Sequence, residues 1–285
     1  MTDYIKSPLN YTGGKYKILE YILPCFPKNI GIFVDLFGGG FNVGVNVEAD
    51  KIIYNDHNLY LSQMFEYFKK NGLSTIDNIY PRIEEYHLSE ENTQGYLALR
   101  KEYNKTKNIL DLFILTCYSF NHQIRFNSRH EFNTPFGKNR SAYNKTIEEN
   151  LINFIKALQS KNIEFYSKDF TGVNILNNLG SRDFVYCDPP YLISNASYND
   201  GKRGFKNWGV NEEEQLLDLL DCLNDKNVKF ALSNVLTHKG MTNEKLIKWS
   251  KKYNIKHIEK TYNNSSYQRK NKDKETQEVL ILNYN

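Results

Sequence analysis

The 285-residue sequence predicts an α/β fold built on a mostly parallel β-sheet. Three observations support this class: short apolar strands alternate with helical segments, two of the early strands end at or next to an aspartate, and one polar stretch interrupts the alternation. Strands that alternate with helices pair in parallel, because each helix crosses a face of the sheet to reach the next strand. We therefore expect the polar stretch, about residues 71–158, to be an insert at one edge of the sheet.

The first predicted strand leads into a glycine-rich turn. A loop, LNYTGGK at 9–15, precedes an apolar helical stretch over 18–23. The run NIGIFVD at 29–35 then stays apolar until its final residue, Asp35, which is typical of a strand buried on both faces. The glycines at 38–40 favour a tight turn in which the backbone can approach a ligand closely.

The remaining elements continue the alternation. A second strand at 51–54 ends close to Asp56, and apolar residues between 59 and 68 indicate a helix after it. The middle of the chain has a polar, helical pattern and becomes irregular through 120–144. Leucines between 216 and 223 recur at the spacing of one helix face. Further strands are predicted at 163–166, 184–187, 228–232 and 279–282.

Composition limits the class of protein. A hydrophobic fraction of 40% with 25% charged residues is ordinary for a soluble globular chain, and no apolar run approaches the roughly 20 residues that span a bilayer. The four cysteines are scattered and the six histidines lack metal-ligand spacing, so we expect no disulfide, no metal and a reducing cytoplasm. Basic residues cluster at 125–145, 202–206 and 268–274, as on a nucleic-acid surface or on a solvated face.

The glycine turn and Asp56 together suggest a nucleoside-type ligand. An acid at the end of the second strand can accept both hydroxyls of a ribose, at the sheet edge where such ligands bind. The turn does not complete G-x-G-x-x-G, and no Lys-Ser or Lys-Thr pair makes it a P-loop. We therefore expect a ligand with a ribose and no polyphosphate, such as S-adenosylmethionine, whose ammonium group Asp35 could meet. A purely structural turn is the alternative.

The stretch RDFVYCDPPYLIS at 182–194 places an acid, two prolines and an aromatic ring at a strand end. Pro-Pro stops strands and Asp suits turns, so turn chemistry alone is one interpretation. A methyl donor nearby would give these residues a second role. Asp188 and the Pro189 carbonyl could accept the two N–H bonds of an adenine amino group and so free its lone pair. Tyr191 could stack on the base once it has left the duplex.

These stretches together resemble one family. NYTGGK, DLFGGG, Asp56, KDF and DPPY, in this order, with RFNSRHEFNTPFGK between them, are similar to the Dam-type (D12 class) DNA adenine methyltransferases in their α arrangement. The resemblance covers nearly the whole chain. It implies a Rossmann-like class I methyltransferase sheet with an inserted, mainly helical target-recognition domain that bears a β-hairpin. The catalytic, S-adenosylmethionine-binding domain would comprise residues 1–60 and 160–285, and the recognition domain 61–159.

The resemblance also implies roles for single residues. Tyr11, which stands where the family often has tryptophan, would line the cofactor site, and Lys15 would contact the methionine part. The methyl-transfer site would consist of Asp188, Pro189, Pro190 and Tyr191, with Asp188 also within reach of the cofactor. The other implied cofactor contacts are the turn residues Asp35, Phe37, Gly38 and Gly40, the ribose ligand Asp56, and Asp169 and Phe170 beside the cofactor's adenine.

Contacts with double-stranded DNA are expected from the insert. Arginine suits guanine edges, asparagine suits adenine edges, and lysine suits phosphates. Two loops are predicted to serve DNA or else to be disordered: 195–208 would close over the extruded base, and 263–274 would bind phosphate. The candidate DNA-binding residues are Asn121, Arg125, Asn127, Arg129, Asn133 and Lys138.

The expected function is site-specific methyl transfer from S-adenosylmethionine to the 6-amino group of adenine in double-stranded DNA, with base flipping. The enzyme would act alone or in a restriction–modification system, with a cognate restriction endonuclease as partner. Two alternatives stay open. One is an amino-group cytosine DNA methyltransferase, which usually has serine in place of Asp188, and the other is a catalytically inactive DNA-binding protein on the same fold.

Overall fold

A computed structural model of the chain describes residues 4–193, 208–258 and 276–285. Eight strands lie within these ranges and form one sheet. The strands are β1 (Ile30–Asp35), β2 (Ala49–Asn55), β3 (Ile163–Tyr166), β4 (Phe184–Cys187), β5 (Lys229–His238), β6 (Met241–Thr242), β7 (Asn254–His257) and β8 (Gln277–Leu282).

Eight α-helices lie within the same ranges, and five of them begin after an asparagine that caps the first turn. In each case the asparagine side chain accepts a hydrogen bond from a first-turn N–H group that has no partner within the helix. The capping residues are Asn58, Asn92, Asn108, Asn144 and Asn243. The helices are α1 (Leu19–Ile22), α2 (Leu59–Asn71), α3 (Ser74–Glu85), α4 (Thr93–Thr106), α5 (Ile109–Tyr118), α6 (Lys145–Ser160), α7 (Val210–Asp225) and α8 (Glu244–Ser250).

The strand order β3-β2-β1-β4-β5-β8-β7 brings several chemically active residues to one edge of the sheet. The first five of these strands are parallel, and Asp35 at the end of β1 pairs with Tyr54 of β2 and Tyr186 of β4. Strand β8 runs antiparallel to β5, so its first residues reach the same edge, where Glu278 lies opposite Val235. The carboxyl ends of β1, β2 and β4 thus meet the amino end of β8.

Two hydrophobic clusters cover the two faces of the sheet. Phe33, Phe184 and Tyr186 belong to the cluster that also contains buried residues of α2, α4, α5 and α6. Val34 and Val185 point to the opposite face and pack with α7 and α8. This alternation is expected because successive side chains of a strand point to opposite faces. The helices of the insert therefore share a hydrophobic core with one face of the sheet.

The predicted α/β fold with a mostly parallel sheet is confirmed, and the insert connects β2 to the edge strand β3. The β-hairpin of the insert is present as isolated antiparallel bridges, one between Phe126 and Phe132 and one between Ser119 and Phe136. The division into a catalytic domain, 1–60 with 160–285, and a recognition domain, 61–159, stays a prediction.

Some element boundaries differ from the prediction. The helical stretch at 18–23 is α-helical only over Leu19–Ile22, with 3₁₀ turns on both sides, and Pro24 lies in the second of these turns. The strand predicted at 228–232 continues to His238 because β6 and β8 pair with its second half. The loop predicted at 195–208 lies outside the described residues except for Trp208, and the loop at 263–274 lies wholly outside them. Among the described helices, none has the length and hydropathy needed to cross a membrane.

Candidate active site

A cavity of about 700 Å³ opens at the edge of the sheet where the strand ends meet. Its lining includes every residue that the sequence assigned to the cofactor or to methyl transfer. Of the six candidate DNA-binding residues, only Arg125 lines this cavity. Asn127, Arg129 and Asn133 lie on the hairpin, Asn121 lies in the turn before it, and Lys138 lies in the turn after it. The lining residues predicted from the sequence are Tyr11, Lys15, Asp35, Phe37, Gly38, Gly40, Asp56, Asp169, Phe170, Asp188, Pro189, Pro190 and Tyr191.

Strand β2 holds the glycine turn in place. The Gly39 N–H donates to Asp56 Oδ2 at 2.9 Å, and the Tyr54 hydroxyl donates to the Gly39 carbonyl at 2.9 Å. Gly39 has a φ of +47°, and a side chain at Gly38 would collide with the ring of Tyr54. Close approach therefore requires glycine at Gly38, and the left-handed backbone conformation favours it at Gly39.

Asp56 sits at the end of β2 with both carboxylate oxygens engaged by backbone. Besides the bond from Gly39, its Oδ1 accepts a hydrogen bond from the Asn58 N–H at 2.8 Å. Burial raises the pKa of this carboxyl, and the two backbone hydrogen bonds oppose that shift. Because each carboxylate oxygen has two lone pairs, Asp56 can still accept bonds from two hydroxyl groups of a ligand.

Asp35 is a buried acid at the centre of the site. Its Oδ2 accepts a hydrogen bond from the Gly44 N–H at 3.0 Å, and the residue is 1% exposed. Burial raises the pKa of Asp35 to about 8, and the charges of Asp188 and Asp56 add to the shift. A carboxyl group in such surroundings is stabilised in its ionised form by a bound cation.

Three aromatic rings form an apolar slot beside these acids. The ring centroid of Phe37 lies 5.5 Å from those of both Phe170 and Trp208, and the latter two rings are 5.6 Å apart. The indole N–H of Trp208 donates to Glu213 on α7 at 3.0 Å. Trp208 was missed in the sequence, where only its aromatic character at the end of a polar loop marked it. All three rings line the cavity, and they give it an apolar side against which a planar heterocycle can pack.

The DPPY tetrapeptide follows β4 directly, and two side chains contact its acid. Lys15 Nζ lies 2.8 Å from Asp188 Oδ1, and the Tyr191 hydroxyl donates to the same oxygen at 3.1 Å. Burial raises the pKa of Asp188, while Lys15 and Tyr191 lower it. Glu278 also lies close to Lys15 and Tyr191. Its Oε1 is 3.9 Å from Lys15 Nζ and 3.4 Å from the Tyr191 hydroxyl oxygen. The sequence did not indicate Glu278, because only antiparallel pairing of β8 with β5 brings it here.

The hairpin of the insert borders the cavity through residues 123–126. Asn127 Oδ1 accepts the backbone N–H groups of Arg129 and Glu131, and its amide donates to the Glu131 carboxylate at 2.7 Å. These bonds hold the turn of the hairpin together. The Asn10 amide donates to the carbonyl of Asn121 at 3.0 Å, which ties the N-terminal loop to the insert.

The six candidate DNA-binding side chains differ in how far they are exposed to solvent. Asn121, Arg129, Asn133 and Lys138 are exposed, while Arg125 and Asn127 are partly buried. Their contacts with DNA stay predictions. No cluster of three or more histidine, cysteine or acidic side chains suited to hold a metal ion occurs in the described ranges.

The sheet carries acids at its strand ends around one cavity, and an insert separates the glycine turn from the DPPY tetrapeptide. This order of features resembles that of the DNA methyltransferases that modify an amino group. The model of one family, described as D12 class N6 adenine-specific DNA methyltransferase, matches residues 11–264. The chain belongs to this family, and the resemblance inferred from the sequence is confirmed.

Individual DNA methyltransferases are also similar to this chain. The type II methyltransferase M.FokI of Planomicrobium okeanokoites is 54% identical over 283 residues, which are 99% of this chain and 43% of that protein. The modification methylase StsI of Streptococcus sanguinis is 49% identical, over 99% of this chain and 43% of its own. The DNA adenine methylase of Escherichia coli (strain K12) is 27% identical, over 79% of each chain. The chain thus spans less than half the length of the first two relatives.

Proposed function

We propose that this chain transfers a methyl group from S-adenosylmethionine to the 6-amino group of adenine at specific sites in double-stranded DNA. The position of Asp188 carries the proposal: it ends β4 in the cavity that also contains Asp35 and Asp56. An acceptor for an amino group and acids suited to a cationic nucleoside therefore line one cavity. Membership in the adenine-specific family favours adenine over cytosine.

The residues of the cavity fit this cofactor, which supplies a methyl group on a positively charged sulfur. The buried carboxyl of Asp35 matches its ammonium group, and Asp56 has lone pairs for the two ribose hydroxyls. Phe37, Phe170 and Trp208 would enclose its adenine. The implied contacts of Tyr11, Lys15 and Asp169 with the cofactor belong to the same proposal.

The target adenine has to leave the duplex, since its amino group is paired within the base stack. Asp188 would accept one N–H bond of that group and the Pro189 carbonyl the other, which leaves the nitrogen lone pair available. Pro190 follows and stiffens the backbone that carries this carbonyl. The ring of Tyr191 would stack on the extruded base, an interaction worth about 1–3 kcal/mol.

The insert would recognise the DNA. Arg125 borders the cavity and is suited to contact bases beside the extruded adenine, whereas Arg129 and Lys138 are exposed and suited to phosphates. Two relatives are named as a type II methyltransferase and a modification methylase, which supports a restriction–modification role and a cognate endonuclease. The cytoplasm stays the proposed location, on the scattered cysteines of the sequence.

The test combines labelled S-adenosylmethionine, duplex DNA and analysis of the modified nucleosides. We expect the label in N6-methyladenine at a defined site, and Asp188→Ala should lower transfer at least about 100-fold because the amino group loses its acceptor. Retention of the wild-type melting temperature shows that this variant is folded. Label in methylcytosine, or DNA binding without any label transfer, contradicts the proposal.

A further inference from the structure

The carboxylate of Asp188 is anchored through one of its two oxygens. The ammonium of Lys15 and the hydroxyl of Tyr191 both contact Oδ1, at 2.8 and 3.1 Å. Within the described residues, neither a hydrogen bond nor an ion pair involves Oδ2. A carboxylate held in this way keeps a defined orientation, with Oδ2 able to accept an N–H bond from the substrate.

Glu278 contacts both groups that anchor Asp188. Its Oε1 lies 3.9 Å from Lys15 Nζ and 3.4 Å from the Tyr191 hydroxyl, whose single proton it shares with the nearer Oδ1 of Asp188. Lys15 also donates to the Gly13 carbonyl at 3.1 Å, and its ammonium lies 5.1 Å from the Tyr191 ring centroid. The side chains of Lys15 and Glu278 are only 7% and 16% exposed, so solvent screens these charges weakly.

We propose that Glu278 is a positioning residue for methyl transfer. It holds Lys15 and Tyr191 against Oδ1 of Asp188, and Oδ2 is thereby directed at the amino group of the target adenine. Glu278 itself does not contact the reacting atoms. This inference rests on the proposed function, because it assigns a role within the same reaction.

A matched control lies on the edge strand β3. Glu164 also contacts a lysine and a tyrosine: its Oε1 is 2.7 Å from Lys51 Nζ, and its Oε2 accepts a hydrogen bond from Tyr166 at 3.0 Å. None of these three residues lines the cavity. Loss of the carboxylate charge in Glu164→Gln therefore reports the general effect of neutralising a carboxylate that contacts a lysine and a tyrosine away from the cavity.

The experiment compares Glu278→Ala, Glu278→Gln and Glu164→Gln in the full chain, with S-adenosylmethionine and DNA that carries the mapped target site. We expect Glu278→Ala to lower kcat about 10- to 100-fold, because small displacements of a catalytic group are costly, with the KM of DNA and of cofactor changed less than about threefold. Glu278→Gln keeps an acceptor for Tyr191 and should recover part of kcat. Glu164→Gln should match the wild type.

The dependence of kcat on pH separates positioning from a merely structural role. The charge of Glu278 raises the pKa of Asp188, next to the larger effect of burial, so Glu278→Gln should move the acid limb of the profile to lower pH. Glu164→Gln should leave the limb in place. Within the described part of the chain, the other ionisable groups that face Asp188 are Lys15, Asp35, Tyr186, Cys187 and Tyr191.

The outcomes are distinct. Lower kcat with retained KM and a shifted acid limb supports the inference. Retained kcat in both Glu278 variants, an increase in KM alone, or lower kcat with an unmoved limb overturns it. If Glu278→Ala melts at a lower temperature than the wild type, its kcat is not used. The kcat and pH profile of Glu278→Gln then test the inference, because glutamine keeps the size of the side chain. A wild-type protein that transfers no methyl group overturns the proposed function, and this role with it.

Discussion

Asp35 is a buried acid whose charge depends on what it contacts. With a pKa of about 8, it binds a proton at neutral pH in the free protein. A cofactor whose ammonium pairs with Asp35 favours the ionised form, so binding should release a proton. We expect affinity for S-adenosylmethionine to increase with pH up to about 8, by at most about tenfold per pH unit. Calorimetry in buffers of different ionisation enthalpy measures the released proton.

The variant Asp35→Asn tests whether the released proton comes from the carboxyl group of Asp35. It should bind the cofactor at least about tenfold more weakly at pH 8, with less proton release, because the amide carries no charge. The free variant should be more stable than the wild type at pH 7. The raised pKa means that the folded state holds a proton that the unfolded state lacks between about 3.8 and 8, so stability falls as pH rises through this window. Proton release that is unchanged in Asp35→Asn contradicts the assignment.

Single residues differ in how far the sequence could predict them. Asp35, Asp56 and Asp188 follow predicted strands, and because parallel strands end at one edge, the sequence was enough to bring them together. Trp208 and Glu278 depend on contacts across long stretches of chain, namely the packing of Trp208 against Phe37 and Phe170 and the pairing of β8 with β5. No local pattern carries that information.

At the scale of elements, Glu213 connects Trp208 of the apolar slot to α7, β5 and the residue before α8. It lies on α7, is 1% exposed, and accepts hydrogen bonds from Trp208, from Asn243 before α8 and from Asn234 on β5. We predict that Glu213→Gln loosens Trp208 in the slot and weakens cofactor binding about tenfold, since a charge-assisted hydrogen bond to the indole is lost. The chain has two tryptophans, so Trp249→Phe leaves Trp208 as the sole fluorescent reporter of binding.

Helix α7 also supplies the control. Asp221 accepts a hydrogen bond from the Trp249 indole at 3.0 Å, as Glu213 does from Trp208, but neither Asp221 nor Trp249 lines the cavity. Asp221→Asn, tested with Trp249 retained, should leave cofactor affinity unchanged. If Glu213→Gln and Asp221→Asn weaken cofactor binding equally, α7 acts only through the general stability of the fold. The specific role of Glu213 would then be wrong.

Two elements that were not predicted from the sequence, β7 and α8, have weak hydrophobic patterns. Strand β7, NIKH, is only partly buried and has a single large apolar residue, and α8 has seven residues. Both are formed by tertiary contacts rather than by local preference. The hairpin of the insert was predicted by resemblance, and its backbone forms only isolated bridges. Side-chain bonds such as those of Asn127 help to fix its turn.

At the scale of the whole molecule, the insert and the sheet share one hydrophobic core. Phe113 on α5 packs edge-on against Phe68 on α2 with ring centroids 5.2 Å apart, and both belong to the cluster that contains the sheet residues Phe33 and Phe184. Two domains with separate cores would unfold independently, whereas a shared core couples them. The sequence predicted an insert from its polar pattern, but polarity does not reveal how many of its apolar side chains reach the sheet.

This coupling can be measured. We predict a single cooperative unfolding transition for the wild type, and we expect Phe113→Ala to lower the free energy of unfolding of the whole chain by about 3–5 kcal/mol, since it leaves a cavity in the common core. Leu73→Ala, at a 46% exposed position in the insert, should change it by less than about 1 kcal/mol. Calorimetry and urea titration followed by circular dichroism and by tryptophan fluorescence give the comparison. Two separated transitions, with only one shifted by Phe113→Ala, would show that the insert unfolds on its own and would favour the predicted domain boundary.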